Sequence, residues 1–152
     1  MPIGIPWPRT ENHEVQTLKK LLRLSSREML VLAQAAVLPP TVRMACRFVT
    51  FARLQRLSDR MAGPSRANSL RPEVAARLVR IAADRGLYRA RCLERSLVLH
   101  WILCREGVDA RIILGARKDD NEMQAHAWVE VDGRVVNDRP QYQKFFTVLD
   151  RL

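Results

Sequence analysis

Glycine is scarce in this chain, at 6 of 152 residues, and aromatic residues make up only 6%. No Gly-rich phosphate loop is present, so the usual nucleotide-binding signatures are missing. The three cysteines, Cys46, Cys92 and Cys104, are an odd number with no close pairing, which argues against a disulfide framework. No Cys-x-x-Cys or His-x-x-x-His spacing occurs, so zinc is not specified and no cofactor or metal is expected. The amino terminus holds three prolines within Met1–Arg9 and no apolar stretch of signal-peptide length. No uncharged apolar run reaches about eighteen residues, so no membrane span is expected. These absences place the protein in a reducing cytoplasm, where a thiol stays free.

What is abundant is positive charge. Lys and Arg total 26 against 16 Asp and Glu, a net charge of 26 − 16 = +10. That balance suits an acidic partner: nucleic acid, an anionic membrane surface, or an acidic peptide or protein. The basic residues are nearly all arginine and are scattered, with few aromatics to stack on bases, which argues against nucleic acid. Apolar residues at 47% suffice for a core. The length implies one domain, 1–152.

Three parts are expected within it. Residues 1 to about 14 read as a tail, about 15–86 as helical, and about 87–152 as a helix followed by an antiparallel sheet. Leu18, Leu21, Leu22 and Leu24 belong to a basic amphipathic segment. Ser25 and Glu28 have capping-box spacing, so a helix starts there and is expected to run to Leu38, where Pro39-Pro40 ends it. A second helix is expected after Thr41, carrying Val42, Ala45, Cys46, Val49, Ala52 and Leu57. Residues 62–69 read as a loop. Pro72 and Glu73 suit the first turn of a third helix, which Gly86 stops. A strongly apolar helix spans Cys92 to about Arg105. Residues 110–115 read as a strand and 115–123 as a polar loop. Strands 125–131 and 134–138 join at Asp132-Gly133, a hairpin signal. The tail around 145–149 adds a strand or a helical turn. This order defines an α+β protein.

Cys92 opens its helix, where the dipole and the neighbouring Arg89, Arg91 and Arg95 favour a thiolate. Most free cysteines are small buried hydrophobes, so Cys92 needs a base to be more than that. His100 lies eight residues along the same helix, about 12 Å away at 1.5 Å per residue, and cannot serve. His13 is in the tail. His126, between two alanines, remains. Cys46 and Cys104 read as core residues.

Asp138 supplies a geometric condition. Side chains alternate along strands. A two-residue loop at Asp132-Gly133 would pair Val131 with Arg134 and set Asp138 on the face away from His126. A three-residue loop, 131 to 133, would pair Glu130 with Arg134 and set His126 opposite Asp138. A Cys92–His126–Asp138 triad therefore predicts the three-residue loop. Asp138 as a plain turn residue before Arg139-Pro140 is the competing reading. Trp128 shares the face of His126 and either walls the site or fills the core.

The blocks Cys92-Leu93-Glu94-Arg95-Ser96-Leu97, Arg105-Glu106-Gly107-Val108-Asp109-Ala110-Arg111-Ile112-Ile113-Leu114-Gly115, Ala125-His126-Ala127-Trp128-Val129-Glu130-Val131-Asp132-Gly133 and Val136-Asn137-Asp138 resemble the transglutaminase-like leader peptidases of lasso-peptide biosynthesis. The resemblance implies a papain/transglutaminase-like core. It implies Cys92 as nucleophile, His126 as general base and acid, and Asp138 as the orienting residue. The reaction would free a core peptide from its leader in a ribosomally made precursor, with ATP used only by the partner cyclase. Members with a fused leader-recognition domain carry a strand-rich amino-terminal part. The helical reading here implies a stand-alone peptidase working with a separate recognition protein, and with the cyclase as a possible further partner. A transglutaminase-like acyl transferase and a non-catalytic scaffold are the alternatives. The backbone N–H of Cys92 is one oxyanion donor; Gln124, near His126, is a candidate for the second. The basic amphipathic helices of 15–60 could dock a recognition protein, a cyclase or a membrane surface, but a solvated charged face over a core is the better reading than any one of these.

Overall fold

The computed structural model describes residues 24–61, 63–64, 70–86, 88, 90–119, 122–138 and 147–151. The expected tail, most of the 62–69 loop and Arg139-Pro140 lie outside them. Among the described residues four helices come first: α1 (Ser26–Phe48), α2 (Phe51–Arg60), α3 (Pro72–Arg85) and α4 (Cys92–Arg105). Four strands follow: β1 (Ala110–Asp119), β2 (Glu122–Val131), β3 (Arg134–Val135) and β4 (Thr147–Arg151). They form one antiparallel sheet of order β3-β2-β1-β4, so the α+β expectation holds.

The start of α1 follows the capping-box reading: Glu28 N–H donates to Ser25 Oγ and Ser25 N–H to Glu28 Oε2. Its end does not. The helix continues through Pro39 and Pro40 to Phe48. Two interior prolines remove amide donors, a cost of roughly 3 kcal/mol or more each. Packing offsets it, because Val31, Ala35 and Pro39 are buried and Leu38 and Val42 rest on the core. The break falls instead at Val49, which is extended, and the Thr50 carbonyl accepts the first amides of α2. By length and composition α1 could cross a membrane. Here its buried side chains pack against α3 and α4.

The third helix keeps its expected limits, with Pro72 in its first turn and Gly86 as cap. It buries Ala75, Ala76, Leu78, Val79, Ala82 and Ala83. The core of α4 is Leu97, Val98, Leu99, Ile102 and Leu103, packed over Ile112 and Val129 of the sheet. Replacing Leu103, which is fully buried, with alanine should cost about 2–5 kcal/mol in denaturant unfolding.

Residues 116–119 continue β1 rather than forming a polar loop. Arg117 pairs with Gln124 across the hairpin, and its Nη2 donates to Gln124 Oε1 at 3.0 Å. This end of the hairpin is polar, so hydrophobic alternation did not reveal it. β4 settles the tail as a strand paired with β1, with a register shift between Leu114 and Gly115. Cys104 is buried as expected, but Cys46 is exposed. The last turns of α1 stand away from the core, and Met44 and Phe48 are exposed beside it.

Candidate active site

The start of α4 is held by a buried acid. Glu94, 6% exposed, accepts the Arg91 N–H at 2.8 Å and the Tyr88 hydroxyl at 3.0 Å. These bonds fix Cys92 as the first helical residue, where the dipole favours a thiolate. Cys92 and Ser96 are one turn apart on the same face. That face meets β2 at Ala127. The Ser96 hydroxyl donates to the Ala127 carbonyl at 3.0 Å, and the Ala127 N–H points at the Cys92 sulfur. Both polar groups of Ala127 are free for the helix because β3 stops at Val135.

The hairpin turn corrects one expectation. Val131 pairs with Arg134 and Glu130 with Val135, so the loop has two residues, not three. Asp132 (φ 51°) and Gly133 (φ 73°) both sit in the left-handed region, as a type I′ turn requires. Asp138 is nevertheless not turned away. Its Oδ2 lies 2.6 Å from His126 Nε2. The reason is that the chain leaves the ladder after Val136, so strand 134–138 is only Arg134–Val135. Val136 N–H still donates to the Val129 carbonyl, but Val129 N–H donates to the side chain of Asn137.

Cys92, His126 and Asp138 thus come together, while His100 lies buried in the core against Cys104, 3.4 Å from Nε2 to Sγ. Cys92 hydrogen-bonds to His126. With Nε2 held by Asp138, Nδ1 is the ring nitrogen left for the thiol. Burial pushes the Cys92 thiol up, but His126 and the N–H groups of Ala127 and Leu93 outweigh it and bring it below the ordinary value. The neighbouring arginines are not among these causes. Burial pulls His126 down, yet hydrogen bonds and charge from Asp138 and Cys92 raise it to about 9. Trp128 does both things expected of it. It is fully buried, and its ring stacks on His126 with centroids 6.2 Å apart.

The thiol opens beside a space of about 10 Å³, room for about one water, lined by Ala76, Arg80, Arg95 and Asn137. Residues Ala76, Arg80, Asn137 and Asp138 also line a larger cleft of about 160 Å³ against α3, with Glu73 and Arg77. Sequence reading missed this α3 wall and missed Asn137. Only the Asn-Asp doublet at 137–138 hinted at the latter.

A thiol-reactive probe should distinguish the cysteines. At about pH 6 iodoacetamide should label Cys92 and spare Cys46, which is exposed but whose thiol is raised by partial desolvation and by the charge of Glu94. Cys104 is protected by burial. Peptide mapping reads the outcome, and equal labelling of Cys46 and Cys92 would refute an activated thiol.

The fold and this cluster describe an α+β domain with a cysteine at a helix start, facing a histidine and an aspartate supplied by a hairpin. The sequence matches the Transglutaminase-like superfamily over residues 35–151, and the chain belongs to that family. It is similar to the microcin J25-processing protein McjB of Escherichia coli, 33% identical over 64 residues, which is 42% of this chain. The match spans 30% of that relative's length. No solved structure matches.

Proposed function

We propose that this protein is a cysteine peptidase that removes the leader from a lasso-peptide precursor. The observation that carries the reading is the convergence of Cys92, His126 and Asp138, with the thiol already lowered and the imidazole raised. Superfamily membership and the similarity to a microcin-processing protein support it.

In this reading the Cys92 thiolate attacks the scissile carbonyl, and His126, protonated at the start, delivers its proton to the leaving amine. The products of that half-reaction are the freed core peptide and a thioester between Cys92 and the leader. His126, now neutral, takes a proton from water as the hydroxyl adds to the thioester. The leader acid leaves, and the thiolate–imidazolium pair is restored. Asp138 holds the ring and stabilises its charge. The Cys92 N–H, at a helix start, is one oxyanion donor. Gln124, on the strand face of His126 with its Oε1 held by Arg117, is the candidate for the second. The substrate lies in the cleft between α3 and the end of β3. A separate recognition protein brings the leader, the lasso cyclase is a possible neighbour, and the reducing cytoplasm keeps the thiol free.

The test is incubation with a lasso precursor and its recognition protein. Release of intact core peptide, with a thioester adduct on Cys92 trapped at short times, is expected. Transfer of an added amine onto the peptide in place of hydrolysis would indicate an acyl transferase. No product together with an unreactive Cys92 would indicate a scaffold.

A further inference from the structure

The hairpin register and the position of Asp138 conflict unless something breaks the ladder. With Val131 opposite Arg134, a regular strand would set Ala127 opposite Asp138 and leave Asp138 on the face away from His126. In the structure Asp138 is 2.6 Å from His126. The departure occurs at one place. Where a regular ladder would give the Val129 N–H the carbonyl of Val136, it receives Asn137 Oδ1 at 2.8 Å. A side chain has replaced a strand carbonyl, and Asn137 has been drawn towards β2.

The other half of the amide is also committed. Asn137 Nδ2 donates to Ser96 Oγ at 3.0 Å, and Ser96, fully buried, passes its own hydrogen to the Ala127 carbonyl. The donor and acceptor roles follow from chemistry. Val129 N–H can only donate, so it fixes Oδ1, and the hydroxyl of Ser96 has one hydrogen and uses it on a carbonyl. One residue before Asp138 and one turn after Cys92, two small polar side chains link the nucleophile's helix, the histidine's strand and the aspartate's segment.

We propose that Asn137, with Ser96, is the positioning pair of this site: it turns Asp138 onto His126 and seats the start of α4 against β2. The polar groups of both side chains are engaged with protein partners. The consequence for catalysis rests on the peptidase reading, but the geometry does not. Asparagine is specifically suited to the place. Aspartate would accept from Val129 but offer Ser96 no donor, and alanine would do neither, leaving buried groups unsatisfied.

The test uses the full-length protein with Asn137→Ala, Asn137→Asp and Ser96→Ala. The readouts are the pH-rate profile of Cys92 alkylation by iodoacetamide, the titration of His126 by NMR, and thermal melting. In Asn137→Ala the alkylation rate at about pH 7 should fall by roughly tenfold or more, and the His126 midpoint should drop from about 9 towards its ordinary value. Asn137→Asp keeps the contact that turns Asp138 and should hold the His126 midpoint above that of the alanine variant. Ser96→Ala should slow alkylation in the same direction, and it carries the test with Asn137→Asp if the alanine variant does not fold. Lower melting temperatures with unchanged profiles and an unchanged His126 midpoint would overturn the proposal. No readout uses a peptide substrate. A shifted profile in a protein that never cleaves a precursor would therefore uphold the positioning pair and refute the peptidase.

Discussion

On the proposed peptidase reading, an Asp138→Asn variant should keep its fold and lose between about 10² and 10⁴ in kcat on the precursor peptide. Asp138 accepts a 2.6 Å hydrogen bond from His126, and its side chain is only 6% exposed. Asparagine is isosteric, so packing survives. What goes is the negative charge that helps hold His126 at about 9 and, through His126, helps bring the Cys92 thiol below its ordinary value. The amide can also present its NH₂ to Nε2, which selects the wrong ring tautomer for the thiol. Both effects act on the chemical step, so kcat should fall far more than KM rises. The pH profile should change as well. In the wild type His126 keeps its proton until about pH 9, so the upper limb of hydrolysis should fall there. The lower limb should lie below the ordinary cysteine range, where Cys92 gains its proton. In the variant the two limbs should move together and narrow the plateau. Cys92→Ala sets the floor, with no thioester formed. A loss smaller than about fivefold in Asp138→Asn, with both limbs in place, would remove Asp138 from the mechanism.

Much of this site was legible because its parts are local. A cysteine at a helix start, a histidine in an alternating strand and a hairpin signal at Asp132-Gly133 are each read within a few residues. The helix distance that eliminated His100 is plain geometry, and His100 is indeed buried elsewhere, against Cys104. The turn expectation failed for an instructive reason. Strand alternation assumes that backbone pairs with backbone, and Asn137 breaks that assumption with a side-chain oxygen. The condition placed on Asp138 was right in its face and wrong in its register. Pro39-Pro40 misled in another way, since local propensity predicts a break that the packing of Val31, Ala35 and Pro39 overrides. The polar end of the β1–β2 hairpin had no hydrophobic period to read. Cys46 was assigned to a core that its stretch of α1 does not reach.

Stability and the site meet at Trp128. Replacing it with alanine should destabilise the protein by about 3–5 kcal/mol, a large part of the roughly 5–15 kcal/mol by which domains are stable. The ring is fully buried and, among the described residues, packs with Ile113, Val135 and Val148, on the sheet face away from the main core. The indole N–H also donates to Glu130 Oε1 at 3.0 Å, and Glu130 is only 6% exposed. Losing that donor weakens the solvation of a buried carboxylate and accounts for about 1–3 kcal/mol of that total. Trp128→Phe separates the two contributions. It keeps most of the volume and an aromatic face for His126, which now stacks at an interplanar angle of 25°, but it removes the donor. It should therefore cost about 1–3 kcal/mol and retain Cys92 reactivity at about pH 6. Urea unfolding at that pH measures both variants. A loss below about 1 kcal/mol in Trp128→Ala would show that this face of the sheet does not depend on its largest side chain.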